Sequence, residues 1–303
     1  MNRIEIRDLT KEYGATRAVD HLTFDVLPGR VTGFLGPNGA GKSTTMRLLL
    51  GLDQITSGTA TIDGRQFTAY PDPLHRVGAL LDVQAIHGGR SARNHLRFLA
   101  ASNRIPMRKV EEVLERSGVA PAADRRVKTF SLGMRQRLGI AAALLGDPGV
   151  LLLDEPTNGL DPEGIIWIRE LMRGLAAEGR TVLVSSHLMS ETAALADHLI
   201  VLGQGKLLAD TSMESFIDAR STPRVRLRTS DPARLRAALA RDGFELISVD
   251  GGRWTVDGIQ AEQIGSMAAR EGIPMLELAD ERASLEQAYL DLTADHAQFA
   301  ATH

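Results

Sequence analysis

Short apolar runs recur along the first 220 residues, separated by stretches whose apolar positions keep a helical period. Residues 4–9, IEIRDL, alternate apolar and polar positions in strand fashion. Val31–Leu35 (VTGFL) has the pattern of a buried strand running into a glycine-rich turn, and Lys42–Leu50 reads as a helix that begins at that turn. Further strands are predicted at Thr59–Ile62, Val150–Leu153, Thr181–Ser185 and Leu199–Leu202. Strand, helix, strand alternation implies an α/β fold around a mostly parallel sheet, with the chemistry on loops at the strand ends.

The pattern changes after the turn-like stretch Arg220-Ser221-Thr222-Pro223, a candidate linker. Val225–Thr229 alternates as a strand, Pro232–Arg241 has a helical period, Leu246–Val249 and Arg253–Val256 are strand-like, and Ala261–Glu271 is helical. A short strand near Met275–Leu278 and a closing helix near Ser284–Thr293 complete a small α+β unit. Charge divides at the same place: residues 221–303 carry 9 basic and 13 acidic side chains and no lysine. The expected organisation is therefore a first domain over residues 1–220 and an accessory α+β domain over 221–303.

Composition narrows the classes of function. A net charge of -3 over 303 residues is at odds with holding nucleic acid by bulk electrostatics, which requires a clustered Lys/Arg excess. With no cysteine there is no disulfide, thiolate nucleophile or Cys-ligated metal. The other histidines, His75, His87, His95, His296 and His303 among them, show no consistent ligand spacing, so no zinc site is expected. No apolar run approaches the roughly 18 to 20 residues that span a bilayer, and MNRIEIRDLTKEYG lacks the apolar region of a secretory signal. A membrane role is expected to be played from outside the lipid.

Gly36-Pro37-Asn38-Gly39-Ala40-Gly41-Lys42-Ser43 fits the P-loop spacing of Gly, four residues, then Gly-Lys-Ser. The glycines let backbone N–H groups turn inward around phosphate oxygens, and the helix that starts beside Gly41 aims its positive dipole at them. Lys42 adds a full charge toward the β- and γ-phosphates, and the Ser43 hydroxyl is a ligand for Mg²⁺. A glycine-rich turn with a surface lysine would account for these eight residues alone, but not for the sequence downstream. There, Val150-Leu151-Leu152-Leu153-Asp154-Glu155 is an apolar strand that ends in two carboxylates. P-loop enzymes hold Mg²⁺ with an Asp in this position, here Asp154, and the adjacent Glu155 is placed to polarise an attacking water as general base.

With these residues in view, the chain resembles the ATP-binding subunit of an ABC transporter. Asn158-Gly159-Leu160-Asp161 is similar to the family's D-loop, and Ser185-Ser186-His187 to its switch-histidine segment. Phe130-Ser131-Leu132-Gly133-Met134-Arg135-Gln136-Arg137-Leu138 is similar to its signature, and Tyr13 lies where the family places an aromatic that stacks on adenine. The resemblance covers most of residues 1–220 in the family's order. It implies a P-loop NTPase ABC ATPase fold with a helical signature subdomain over about residues 84–140, followed by the small C-terminal α+β domain. It also implies a head-to-tail homodimer closed around two ATPs with Mg²⁺, in which Ser131 and Gly133 of one copy meet the γ-phosphate on the P-loop of the other. The implied nucleotide set is Tyr13, Gly36, Pro37, Asn38, Gly39, Ala40, Gly41, Lys42, Ser43, Thr44, Ser131, Gly133 and Asp161. Glu155, His187 and Lys42 are the implied catalytic residues, with His187 on the γ-phosphate.

Two departures from the family pattern stand out. The signature reads FSLGM where LSGGQ is the common form, so Leu132 and Met134 replace small or polar residues while Ser131 and Gly133 are kept. In Val77-Gly78-Ala79-Leu80-Leu81-Asp82, Asp82 stands where the family often has a glutamine linking Mg²⁺ to the membrane partner, and Gln84 follows two residues later. A carboxylate at Asp82 can bind Mg²⁺ directly or through water, but it adds negative charge near the γ-phosphate. Both departures resemble the bacterial exporter subgroup that includes bacitracin-type resistance ATPases, which tends to carry an extra C-terminal α+β domain.

The resemblance implies an ATPase subunit of a two-component exporter of drugs, antibiotics or other amphipathic compounds. Such a subunit sits peripherally on the cytoplasmic face of a bacterial membrane and drives separate transmembrane permease subunits through the surface around Asp82 to Arg97. The tail is expected to assist dimerisation or regulate closure. ATP-dependent dimerisation and transport that both stay unchanged on removal of residues 222–303 would contradict that role. A soluble ABC ATPase of translation or repair is the rival, although such proteins carry two cassettes or a long coiled-coil insertion; a regulatory ATP-binding module without turnover is a second.

Overall fold

The hairpin that opens the chain shows how local sequence sets the fold. Ile4–Tyr13 forms β1 and Thr16–Val26 forms β2, joined by a tight turn in which Gly14 takes a φ of 59°. The computed structural model describes residues 2–186, 189–219, 223–249, 252–281, 285–290 and 292. The strand β2 is absent from the sequence-based expectation, and its register explains why. Val19, Leu22, Phe24 and Val26 are buried, but the three-residue step from Val19 to Leu22 breaks the period of two. His21 absorbs that step with a φ of 52°, beside a register shift against β1.

Val31–Leu35 is β3, followed by α1 over Lys42–Leu49 and β4 over Ser57–Ile62. Val77–Leu80 is β5, then come α2 (Ala92–Ser102), α3 (Arg108–Arg116) and α4 (Leu132–Leu144), the helices of the predicted signature subdomain. Next are β6 (Val150–Asp154), α5 (Pro162–Ala177), β7 (Thr181–Ser185), α6 (Met189–Ala193), β8 (His198–Gly203), β9 (Lys206–Ser212) and α7 (Met213–Asp218). Capping follows the sequence: the side chains of Ser91, Ser131 and Asp161 accept the backbone N–H of the residue three positions on, and Pro162 occupies the first turn of α5.

A six-stranded sheet runs in the order β5-β6-β7-β3-β8-β9, with every neighbour parallel except β9. This is the expected mostly parallel sheet, and β2-β1-β4 form a separate antiparallel sheet beside it in the chain's first unit that pattern alone did not announce. The edge strand β9 was also missed, since none of its residues is fully buried and it lacks an apolar alternation. The apolar runs of the central strands have a clear cause. Leu151 and Leu153 of β6, with Val182 and Val184 of β7, pack toward α2 to α5. Leu152 and Leu183 pack toward α1 and the antiparallel sheet. A strand buried on both faces reads as continuous hydrophobic sequence.

The chain divides into two units, residues 1–213 and 214–303. The division precedes the predicted linker, whose Arg220, Ser221 and Thr222 lie outside the described residues. In the second unit β10 (Arg224–Thr229), α8 (Pro232–Arg241), β11 (Ile247–Val249), β12 (Arg253–Asp257), α9 (Ala261–Glu271) and β13 (Met275–Glu281) follow in order. They form an antiparallel sheet β11-β12-β10-β13 whose inward Val225, Leu227 and Val256 share a core with Leu235, Leu239, Ile264 and Met267 of the two helices. Residues 285–290 are helical, at the start of the predicted closing helix. Among the described residues no helix is long and apolar enough to cross a membrane.

Candidate nucleotide site

Parallel pairing brings the carboxyl ends of β6, β7 and β3 side by side, and the P-loop leaves from β3. Within that loop Gly36 and Gly41 take φ values of 154° and 102°. A Cβ on Gly36 would stand 2.6 Å from the Leu202 carbonyl oxygen, and one on Gly41 2.6 Å from that of Ala18. Both positions therefore require glycine for space, and Gly41 also for conformation. Gly39 has a φ of 81° but open space around its Cα, so its demand is conformational only. Pro37, Asn38 and Gly39 are exposed, Ala40 is buried, and Thr44 is half-buried on the first turn of α1.

No side chain caps the N-terminus of α1, which starts from Gly41 with Lys42 as its first residue. Its first-turn N–H groups face the loop with the positive end of the helix dipole behind them. Lys42 is only 6% exposed, and its Nζ donates to the carbonyl oxygens of Gly36 at 2.6 Å and Pro37 at 3.2 Å. Burial pushes its pKa below the ordinary lysine value, and the charges of Glu155 and Asp154 only partly oppose that shift.

At the end of β6, Asp154 joins three elements. Ser43 Oγ donates to its Oδ2 at 2.5 Å, and the Ser185 hydroxyl at the end of β7 donates to its Oδ1. The hydroxyl of Ser43 and the carboxylate of Asp154 are hard oxygen donors, a set that suits Mg²⁺. Glu155 follows with a φ of 50°, a left-handed conformation that costs a non-glycine residue on the order of 1 to 3 kcal/mol. Its backbone N–H donates to Ser185 Oγ at 3.0 Å, and its carbonyl accepts from Gln136 Nε2 of α4 at 2.9 Å. Gln136 is 2% exposed and Ser185 fully buried. Sequence reasoning gave neither residue a role. The available signal was a glutamine on the buried face of α4, whose neighbours on that face are Ile140, Ala143 and Leu144.

The remaining predicted residues spread around this centre. Tyr13 is 48% exposed; its hydroxyl donates to Asp53 at 2.9 Å, Arg47 donates to the same carboxylate at 2.7 Å, and the Lys11 ammonium lies 4.6 Å from the ring centre. Asp53 and Arg47, which hold the ring, were not foreseen. Ser131 caps α4 by accepting from the Met134 N–H at 3.2 Å. A Cβ on Gly133 would stand 2.6 Å from the Gly159 carbonyl oxygen, so the signature and D-loop segments of one chain pack closely. Asp161 caps α5 through the Gly164 N–H at 2.8 Å. Asp82 accepts from the Gln84 N–H at 2.7 Å, and among the described residues no group of three or more His, Asp or Glu forms a metal cluster. His187 lies outside the described residues.

Comparison with known proteins places this geometry. The ABC transporter family model matches residues 19–158, and a model for a domain of unknown function matches residues 223–286. The bacitracin transport ATP-binding protein BcrA of Bacillus licheniformis is 37% identical over 300 residues, covering 95% of this chain and 96% of that protein. The chain belongs to the ATP-binding subunits of ABC transporters. It is an ATPase, with the P-loop NTPase fold of its family. The lantibiotic transport ATP-binding protein SrtF of Streptococcus pyogenes is 36% identical over 68% of this chain and 90% of its own length. A solved ATP-binding subunit of an ABC transporter superposes with a TM-score of 0.65 at 26% identity, covering 71% of this chain and 92% of that one. The bacitracin transport relative matches nearly the whole chain, whereas this structural neighbour covers a share close to that of residues 1–213.

Proposed function

We propose that this ATPase powers the export of amphipathic antibiotics, peptides above all, through separate permease subunits at the cytoplasmic face of a bacterial membrane. The observation that carries the reading is the nearly end-to-end match to a bacitracin transport ATP-binding protein, which includes the second unit. Two copies work as a head-to-tail dimer, with Ser131 and Gly133 of one facing the P-loop of the other. The first-turn N–H groups of α1, the Gly36 to Thr44 loop and Lys42 bind the phosphates, and Tyr13, held by Asp53 and Arg47, stacks on the base. Ser43 and Asp154, with Asp82 as a further candidate, hold Mg²⁺, which neutralises charge on the β- and γ-phosphates when bound. Glu155 accepts the proton of the attacking water, and His187 hydrogen-bonds the γ-phosphate. Residues 221–303 act as an accessory domain.

Co-expression with the co-transcribed membrane protein, and ATPase assays of the purified complex against a panel of compounds, test the transport reading. Bacitracin-like or lanthionine peptides are expected to stimulate turnover severalfold. Stimulation by polar solutes alone, or a complex that no amphipathic compound affects, would overturn it.

A further inference from the structure

Both backbone polar groups of Glu155 are held by buried side chains from two different elements. Ser185, at the end of β7, accepts the Glu155 N–H at 3.0 Å while its own hydroxyl donates to Asp154. Gln136, on the buried face of α4, donates to the Glu155 carbonyl at 2.9 Å, and the Asn158 backbone N–H reaches the same oxygen at the longer distance of 3.3 Å. Between these two bonds the residue sits at a φ of 50°, a region that a side chain with a Cβ rarely occupies unless its surroundings fix it. The φ and ψ of a residue decide where its Cα–Cβ bond points. A peptide rotated back toward the right-handed or extended region would redirect the Glu155 carboxylate, whose charge now acts on Lys42 of the P-loop.

We propose that Ser185 and Gln136 form a backbone clamp that holds Glu155 in its left-handed conformation and so aims its carboxylate at the water it activates. The inference rests on the reading of Glu155 as general base. Ser185 is suited to this by its place in the sheet, since β7 lies between the strand that ends in Asp154 and the strand that feeds the P-loop. Gln136 is suited by its helix, because α4 begins at the signature serine. A shift of α4 relative to the sheet would therefore pull directly on the Glu155 carbonyl. The signature helix thus has a second point of action besides its N-terminus, inside its own chain. Gln136 and Ser185 are positioning residues, since each acts through Glu155.

The test uses the full-length chain, with phosphate release and the affinity of a non-hydrolysable ATP analogue measured on each variant. Gln136→Met keeps length and volume but cannot donate, and it is expected to lower kcat about tenfold with analogue affinity within about twofold of wild type. Ser185→Ala is expected to lower kcat at least as much, and Ser185→Thr, which keeps the hydroxyl, to restore most of it. A Gln136→Met enzyme with wild-type kcat overturns the clamp, as does one whose kcat and analogue affinity fall together, the mark of general structural damage. If Gln136→Met fails to fold, the Ser185 pair decides: equal rates for Ser185→Ala and Ser185→Thr, or a Mg²⁺ requirement raised in Ser185→Ala, which would trace the loss to Asp154, overturn the proposal, and rescue by threonine with an unchanged Mg²⁺ requirement in Ser185→Ala supports it. Glu155→Gln separates the two levels. Wild-type turnover in that variant removes the base itself and the clamp with it, whereas loss of turnover there beside an intact Gln136→Met rate overturns the clamp alone.

Discussion

Among the described residues, every glycine at which an added Cβ would come under 3.0 Å from another atom lies in residues 1–213, although Gly14, Gly29, Gly39, Gly64, Gly174 and Gly179 there have open space, and none lies in residues 214–303. A Cβ on Gly36, Gly41 or Gly133 would stand 2.6 Å from a carbonyl oxygen. In the second unit Gly243, Gly252 and Gly272 have nothing within 4 Å of that position, the nearest atom to Gly258 is at 3.8 Å, and the tightest, Gly265 on α9, meets only the end of the Leu278 side chain at 3.2 Å. The left-handed non-glycine residues divide the same way: Asp8, His21, Asp63, Arg104, Asp147, Glu155 and Gln204 all lie in the first unit, and among the described residues the second has none. A small sheet under two helices folds from pattern, caps and turns alone. At the proposed nucleotide site, Gly36 and Gly41 allow the close approach of backbone, and Glu155 takes a conformation that the backbone otherwise avoids.

Substitutions matched across the two units sharpen this contrast. Lys42→Met, which removes the buried ammonium from the loop, is expected to weaken binding of an ATP analogue about 100-fold, read by fluorescence titration. Gly41→Ala meets both the Ala18 carbonyl and a φ of 102°, and should cost about tenfold in analogue affinity together with about 2 kcal/mol of stability. Gly243→Ala, at a φ of 82° with open space, is expected to cost about 1 kcal/mol in denaturant unfolding and leave analogue affinity unchanged. Equal losses of affinity at Gly41 and Gly243 would break the comparison.

The smallest expected effect is on pH. Burial holds the Lys42 pKa below the ordinary lysine value. Between those two values the unfolded chain binds the extra proton, so the contribution of this lysine to the stability of the nucleotide-free chain rises with pH. Phosphate binding needs the ammonium and moves the other way, so analogue affinity should fall a few-fold as pH rises through that window. Lys42→Arg stays charged throughout and should show no such slope in the same titration.

The proposed nucleotide site was legible to the extent that it is local. A strand, a glycine turn and a helix within residues 31–49, and an apolar strand that ends in Asp154, are contiguous patterns with one physical reading. Pattern alone failed where the period is interrupted, as at His21 in β2, or where a strand is an edge with no buried face, as in β9. It failed too for contacts that depend on sheet order. Nothing near Gln136 in sequence announces the Glu155 carbonyl, and the place of Ser185 between Asp154 and the P-loop strand exists only once β7 is seen to lie between β6 and β3. The bonds from Tyr13 and Arg47 to Asp53 likewise join the ends of β1 and α1.

The central claim is that Glu155 activates water at a site whose phosphate binding is built by other residues. Phosphate release and analogue binding by the wild-type chain and by Glu155→Gln test it most directly. The account predicts turnover at least about 100-fold slower in the variant with analogue affinity within about twofold. Wild-type turnover by Glu155→Gln, or an equal collapse of binding and turnover, would contradict it.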